Sequence, residues 1–172
     1  MLIDVAKLKK EKTTTEQFNF ILNLPWINTK GEKIFFDEPI EVSSRVTFTQ
    51  NEVLVEGVIR AKVQLVCHRC LEKYVLPLEI PLLERFVTLN QLALMSEDEK
   101  QEELSVYKNN QINLEPLIEQ VIYLALPMKA LCNEDCLGLC HKCGCNLNVD
   151  KCSCQKDELD PRLKVLQQLL EK

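Results

Sequence analysis

The stretch from Glu52 to Cys70 reads Glu-Val-Leu-Val-Glu-Gly-Val-Ile-Arg-Ala-Lys-Val-Gln-Leu-Val-Cys-His-Arg-Cys. Val53, Val55, Gly57, Ile59, Ala61, Val63 and Leu65 occupy alternate positions, with Glu56, Arg60, Lys62 and Gln64 between them. A period of two over this length predicts a strand with one buried and one wet face. The strand runs directly into Cys67-His68-Arg69-Cys70, which places a pair of thiols at its end.

The flanking sequence repeats the pattern. Phe18, Phe20, Leu22 and Leu24 alternate, as do Ile40, Val42, Val46 and Phe48. Gln50-Asn51 is expected to turn the chain between two such runs. Tyr74, Leu76, Leu78, Ile80 and Leu82 alternate again, and Pro77 and Pro81 assign that run to a sheet edge, since proline cannot donate to the ladder. Successive antiparallel strands of this kind predict a meander that closes into a small barrel or half-barrel. One helix is expected over residues 114–126. Asn113 serves as its N-cap, Glu115 and Pro116 suit its first turn, and Pro127 ends it. Leu114, Leu117, Ile118, Val121, Ile122, Leu124 and Ala125 form the apolar stripe that packs on the sheet.

The fold class is therefore α+β: an antiparallel β-meander or barrel with a packed helix, followed by a cysteine-rich tail. The expected division is a β-rich domain over 1–127 and a metal-stapled tail over 128–172. Asp160-Pro161-Arg162 opens a short amphipathic helix carrying Leu163, Val165, Leu166, Leu169 and Leu170 at the end of that tail.

Composition bounds the function. The chain has 172 residues, 46% of them hydrophobic, enough for one core but not for several domains. No basic-then-apolar leader is visible at the start, and no apolar run approaches the roughly 20 residues of a membrane helix. The expected compartment is the reducing cytoplasm. The net charge of −5 opposes non-specific coating of nucleic acid. That excess lies entirely within residues 67–127, and most of it in Glu97-Asp98-Glu99-Lys100-Gln101-Glu102-Glu103, read as a solvated loop. The first 66 residues and the last 45 are each neutral.

Nine cysteines carry the chemistry, and nine is odd, which excludes a complete set of internal disulfides. In a reducing compartment such clusters point to metal or redox work. The second group runs Cys132-x3-Cys136-x3-Cys140-x2-Cys143-x-Cys145-x6-Cys152-x-Cys154. Short gaps let two sulfurs reach one ion, and zinc takes four such ligands in a tetrahedron. Cys140-His141-Lys142-Cys143-Gly144 reads as a zinc knuckle, its glycine relieving the tight turn. The expected site uses Cys140, Cys143, Cys152 and Cys154. A possible second one joins Cys67 and Cys70 to Cys132 and Cys136. Cys145 is the spare, too close behind Cys143 to share its knuckle. His68 and His141 sit inside their C-x-x-C pairs and are read as pointing away from the metal.

The alternative is a thiol redox protein using Cys67 and Cys70, with His68-Arg69 lowering a thiol pKa. Other catalysis finds no support: the sequence lacks a glycine-rich phosphate loop, an H-E-x-x-H and a nucleophile elbow. A zinc closed by four sulfurs has no open position for a substrate. Cations cluster near the cysteines: Arg69, Lys73, Lys129, Lys142, Lys151, Arg162 and Lys164. Of these, Arg69, Lys142, Lys151 and Arg162 are the candidate nucleic-acid contacts.

The combination resembles the YceD family. The resemblance rests on Val66-Cys67-His68-Arg69-Cys70-Leu71, Leu126-Pro127, Leu131-Cys132 to Cys136, Gly138-Leu139-Cys140-His141-Lys142-Cys143-Gly144, Asn146-Leu147-Asn148, Cys152-Ser153-Cys154 and Asp160-Pro161-Arg162. It covers about the last hundred residues, and the N-terminal strands match only in character. Cys145 falls where similar chains of this branch usually carry another residue. The resemblance implies a ribosome biogenesis factor supporting accumulation of large-subunit (23S) ribosomal RNA. It also implies a non-enzymatic, cytoplasmic role, with precursor RNA or ribosomal proteins as partners and neither membrane nor small-molecule substrate.

Overall fold

The computed structural model describes residues 1–6, 15–29, 31–49, 52–95 and 104–154. Its strands are β1 (Leu2–Asp4), β2 (Thr15–Leu22), β3 (Trp26–Thr29), β4 (Glu32–Phe36), β5 (Ile40–Thr49), β6 (Glu52–Val66), β7 (Lys73–Thr88), β8 (Ser105–Tyr107) and β9 (Gln111–Asn113). Among the described residues two helices accompany them, α1 (Leu89–Leu94) and α2 (Glu115–Ala125).

The period-two run is the spine. β6 pairs along its whole length with β7, from Val53↔Phe86 to Val66↔Lys73. Its other side is shared by β5, which covers Glu52 to Arg60, and by β4, which meets Val63 and Gln64. Val53, Val55, Ile59, Ala61 and Val63 are buried, while Glu56, Arg60, Lys62 and Gln64 are exposed, as the alternation predicts. Ile40, Val42, Val46 and Phe48 of β5 turn to the same core. β5 and β6 face each other at Thr49↔Glu52, and the Gln50-Asn51 turn itself lies outside the described residues.

Gly57 has a specific reason to be glycine. It faces Ser44 across the ladder, and a Cβ there would lie 2.2 Å from the Ser43 carbonyl oxygen and 2.8 Å from the Ser44 Cα. Only a residue without a side chain allows that approach.

The sheet is mostly antiparallel and curls into a half-barrel. Beyond β6 and β7 it runs outward through β5 to β2 on one flank and through β4 to β3 on the other. From Lys73 to Arg85, β7 is paired only with β6 among the described residues, so Pro77 and Pro81 do lie on an edge. Two features depart from a plain meander. β8 joins β7 in parallel at Phe86–Thr88, and β1 pairs with β9 as a separate two-stranded ribbon.

α2 fills the hollow of the sheet. Leu114, Ile118 and Ile122 are fully buried and join Ile3, Val5 and Ile112 in the same core as the β5 and β6 residues. The helix boundary falls within a residue of the expected 114–126. Leu114, rather than Asn113, occupies the N-cap position; it is drawn into the core, and its side chain has no acceptor with which to cap the helix. Asn113 still works nearby, its Oδ1 accepting from the Glu115 N–H at 3.2 Å. The tail helix expected after Asp160, with Arg162 and Lys164, lies outside the described residues.

Candidate metal centre

The β6–β7 hairpin ends in a six-residue connection that carries the first thiol pair. Leu71 N–H donates to the Cys67 carbonyl at 2.9 Å, and the Arg69 N–H points at the Cys67 Sγ at 3.5 Å. Leu71 takes a left-handed φ of 61° to close this turn. The same device recurs at the second knuckle. Gly144 N–H donates to the Cys140 carbonyl at 2.8 Å, Lys142 N–H to the Cys140 Sγ at 3.4 Å, and Gly144 has φ 74°. Both knuckles thus aim a backbone N–H at the sulfur of their first cysteine, the arrangement that stabilises a thiolate.

The segment after α2 folds back onto the hairpin tip. His68 N–H donates to the Ala130 carbonyl at 2.8 Å, and Leu139 N–H to the Arg69 carbonyl at 3.1 Å. Arg69 clasps it from the other side, Nη1 donating to the carbonyls of Cys136 at 2.9 Å and Glu134 at 3.2 Å. This brings Cys67, Cys70, Cys132 and Cys136 together with all four sulfurs within 4.8 Å of one another. The Cys67–Cys136 and Cys70–Cys132 sulfur distances are 3.8 and 3.6 Å. A tetrahedral ion at about 2.3 Å from each thiolate would hold them about 3.8 Å apart, so the set fits such an ion. Cys67, Cys70 and Cys136 are buried, and Tyr74, Leu131 and Leu139 pack around them.

A second four-sulfur group consists of Cys140, Cys143, Cys145 and Cys152. Cys152 lies 3.5 Å from Cys143 and 3.3 Å from Cys140, sulfur to sulfur. This grouping differs from the set read from spacing: Cys145, read as the spare, lies within it, while Cys154 lies outside the four, its thiol still interacting with those of Cys152 and Cys143. The reason is local. After Gly144 the chain doubles back, Cys140 N–H donating to the Cys145 carbonyl at 2.9 Å beside the Leu139↔Asn146 bridge, and this swings Cys145 inward. Cys154 remains exposed, and its N–H donates to the Cys152 Sγ at 3.3 Å.

The thiols divide by environment. Burial pushes Cys67 up, but backbone N–H groups of Cys70, Cys132 and Arg69 outweigh it and bring the thiol down to about 6. Cys132 is pushed up to about 12 by its hydrogen bond with Cys70 and by burial. At the second group the Cys145 N–H leads in lowering Cys143 to about 6. The side chain of Cys143 holds Cys145 up at about 12, and that of Cys152 does the same for Cys154. Each group therefore mixes ready thiolates with thiols that a cation would have to deprotonate.

The candidate nucleic-acid contacts are dispersed around these centres. Lys142 and Lys151 are exposed, as are Lys73 and Lys129. Arg69 is engaged at the first centre, a role its place inside the C-x-x-C pair did not suggest. Glu72, Glu134, Asp135 and Asp150 are exposed on the same segments, so the cations do not stand alone.

A half-barrel whose hairpin tip shares one four-thiol group with the tail, the tail holding a second, defines a thiol-stapled β protein. Among known proteins, residues 55–170, about two thirds of the chain, match the family described as large ribosomal RNA subunit accumulation protein YceD. The chain belongs to that family. It is 26% identical over 157 residues to the chloroplastic large ribosomal RNA subunit accumulation protein YCED homolog 1 of Arabidopsis thaliana, covering 77% of this chain and 49% of the plant protein. The chain thus spans about half the length of that relative. An uncharacterised protein of Mycobacterium tuberculosis is 26% identical over 172 residues, 99% of this chain and 81% of that one. The uncharacterised protein YlbN of Bacillus subtilis is 26% identical over 133 residues, 77% of this chain and 74% of its own. No solved structure matches the chain. No helix among the described residues is long and apolar enough to cross a membrane.

Proposed function

We propose that the protein is a non-enzymatic, cytoplasmic ribosome biogenesis factor that supports accumulation of large-subunit (23S) ribosomal RNA. The observation that carries this reading is the family match over residues 55–170, with its printed description. The two thiol centres each hold zinc and serve as staples. The first fixes the tail, which has little apolar core of its own, onto the hairpin tip, and the second ties the tail to itself. With four sulfurs per ion, neither zinc offers a position to a substrate.

The partner is precursor RNA or a ribosomal protein bound to it, met by the face around the knuckles. Around the two centres five cations (Arg69, Lys73, Lys129, Lys142 and Lys151) and four acids (Glu72, Glu134, Asp135 and Asp150) are exposed. Such a balance supports a few phosphate contacts and not a broad basic groove, so RNA binding would weaken only moderately with salt. Depletion of the protein, followed by profiling of ribosomal subunits and precursor RNAs, tests the reading. A selective fall in large subunits with unprocessed 23S precursor is expected, and unchanged profiles would refute it.

One observation favours a second reading, thiol redox at Cys67 and Cys70: the Cys67 thiol is lowered to about 6. Against it, Cys67 is fully buried and shares its surroundings with three other sulfurs. Insulin reduction by the metal-loaded protein separates the two, and measurable turnover would favour the redox reading.

A further inference from the structure

One side chain connects the two thiol centres. Asn148 belongs to the loop between Cys145 and Cys152, two sulfurs of the second centre, yet its Nδ2 donates to the Cys136 Sγ of the first at 3.3 Å. The orientation of its amide is over-determined. Nδ2 also donates to the Asn146 Oδ1 at 2.8 Å, and Oδ1 accepts from the Leu137 N–H at 2.8 Å. A flipped amide would place acceptor against acceptor and donor against donor.

The loop that presents Asn148 runs between two sulfurs of the second centre. It is a tight turn closed by Val149 and Asp150 N–H groups donating to the Asn146 carbonyl, with Val149 79% exposed. It is tied to residues 137–139 by the Leu147 N–H to Gly138 carbonyl bond at 2.9 Å, the Leu139↔Asn146 bridge and the Asn148 amide itself, and the cysteines at its two ends complete its hold. A metal at the second centre draws those two cysteines to one point and so fixes the turn. The Asn148 amide is then set against a thiolate of the first centre. A hydrogen bond to a ligating sulfur is the kind of outer contact that tunes metal affinity, typically by 10–100-fold.

We propose that the two centres load as a coupled pair, with Asn148 as the positioning residue through which metal at the Cys140/Cys143/Cys145/Cys152 centre strengthens metal binding at the Cys67/Cys70/Cys132/Cys136 centre. Coupling of binding free energies is reciprocal, so the first ion strengthens the second site by the same factor. This rests on the reading that both centres hold metal, and that reading has its own readout, a stoichiometry of two ions per chain.

The test uses the full chain, stripped of metal under reducing conditions and titrated with cobalt against a chelator of known affinity. Thiolate-to-cobalt absorption reports each binding event. Wild-type protein should take up two ions. Replacing Cys143→Ser and Cys152→Ser together should leave one ion, held at the first centre about tenfold more weakly. Asn148→Ala, which keeps every thiol, should still bind two ions and weaken the first centre by a similar factor. Added to the cysteine pair, it should cost almost nothing further. Asn148→Ala should also move the thiolate-to-cobalt band of the first centre to lower energy, because Cys136 loses a donor and becomes more electron-rich. A general folding defect would not shift that band. First-centre affinity unchanged by loss of the second centre would overturn the coupling. So would an Asn148→Ala loss of equal size with and without the second centre. Fewer than two ions in the wild type would remove the two-metal reading and the coupling with it.

Discussion

Arg69 offers a direct contest between two roles, and Arg69→Ala decides it. The guanidinium donates from Nη1 to the carbonyls of Cys136 and Glu134, at 2.9 and 3.2 Å, across 67 and 65 residues of sequence. Hydrogen bonds from a charged group contribute about 1.5–3 kcal/mol each. Arg69 is exposed, so screening by water brings the pair to about 2 kcal/mol in total. At 1.4 kcal/mol per factor of ten, that is about a 30-fold loss if the whole effect falls on metal retention at the Cys67 centre. The assay is chelator competition on purified full-length protein under reducing conditions, with RNA gel shifts in parallel. Arg69→Lys keeps the charge without the rigid fork, so it should recover little of the metal affinity. Metal affinity within twofold of wild type in Arg69→Ala would refute the bracing role. If RNA binding alone were lost, and Arg69→Lys restored it, the residue would be a phosphate contact instead.

Other outcomes follow from the same geometry. Gly57→Ala forces a Cβ to within 2.2 Å of a backbone oxygen, which costs about 2–4 kcal/mol through strain and a damaged ladder. Thermal unfolding should then fall by about 4–16 °C, at 2–4 °C per kcal/mol for a chain of this size; a shift under 2 °C would show the strand has room to yield. Cys154→Ser should leave the metal stoichiometry at two, whereas Cys145→Ser should weaken the second centre by tenfold or more; the reverse result would restore the ligand set read from spacing. Metal uptake should release protons, since Cys132 keeps its proton up to about 12 and Cys70, pulled down by the Glu72 N–H, is still raised above its ordinary value by burial and Cys67 together. With at least these two protons displaced from the first centre, affinity should rise about a hundredfold per pH unit between pH 7 and 8, and a flat profile by competition titration would contradict it.

The parts of the fold that could be read from sequence are those in which one physical rule acts over many residues. β6 shows seven alternating positions before its thiols, and no other secondary structure buries that pattern. Pro77 and Pro81 cannot donate to a ladder, so their edge position follows from their chemistry. β1, β8 and β9 have three residues each, too few to show a period, and their pairing is set by the core around Ile3, Tyr107 and Ile112. The α1 cap was visible in principle: Thr88 accepts from the Gln91 N–H while the Gln91 side chain accepts from the Thr88 N–H, a spacing of three that marks a helix start. At the thiol groups, C-x-x-C spacing marked two knuckles, and counting thiols in fours raised the joining of Cys67 and Cys70 to Cys132 and Cys136, which the structure does bring together. Spacing could not choose between Cys145 and Cys154, because that depends on the chain reversing at Gly144. Nor could it reveal Arg69 as a clasp or Asn148 as a bridge, since both act on partners determined only by how the tail lies against the hairpin.

The distance in sequence between the two halves of the first centre has a consequence for the newly made chain. Cys70 leaves the ribosome 62 residues before Cys132, the sulfur that lies 3.6 Å from it in the folded protein. At about 5–20 residues per second, the hairpin tip spends roughly 3–12 seconds with half a ligand set. The strands need no metal to bury their alternating side chains and can pair in that interval. A metal held by all four thiols could therefore be captured at the hairpin tip only after the half-barrel and α2 have been synthesised. An ion in that centre would mark a chain whose tail has been made and has found its place.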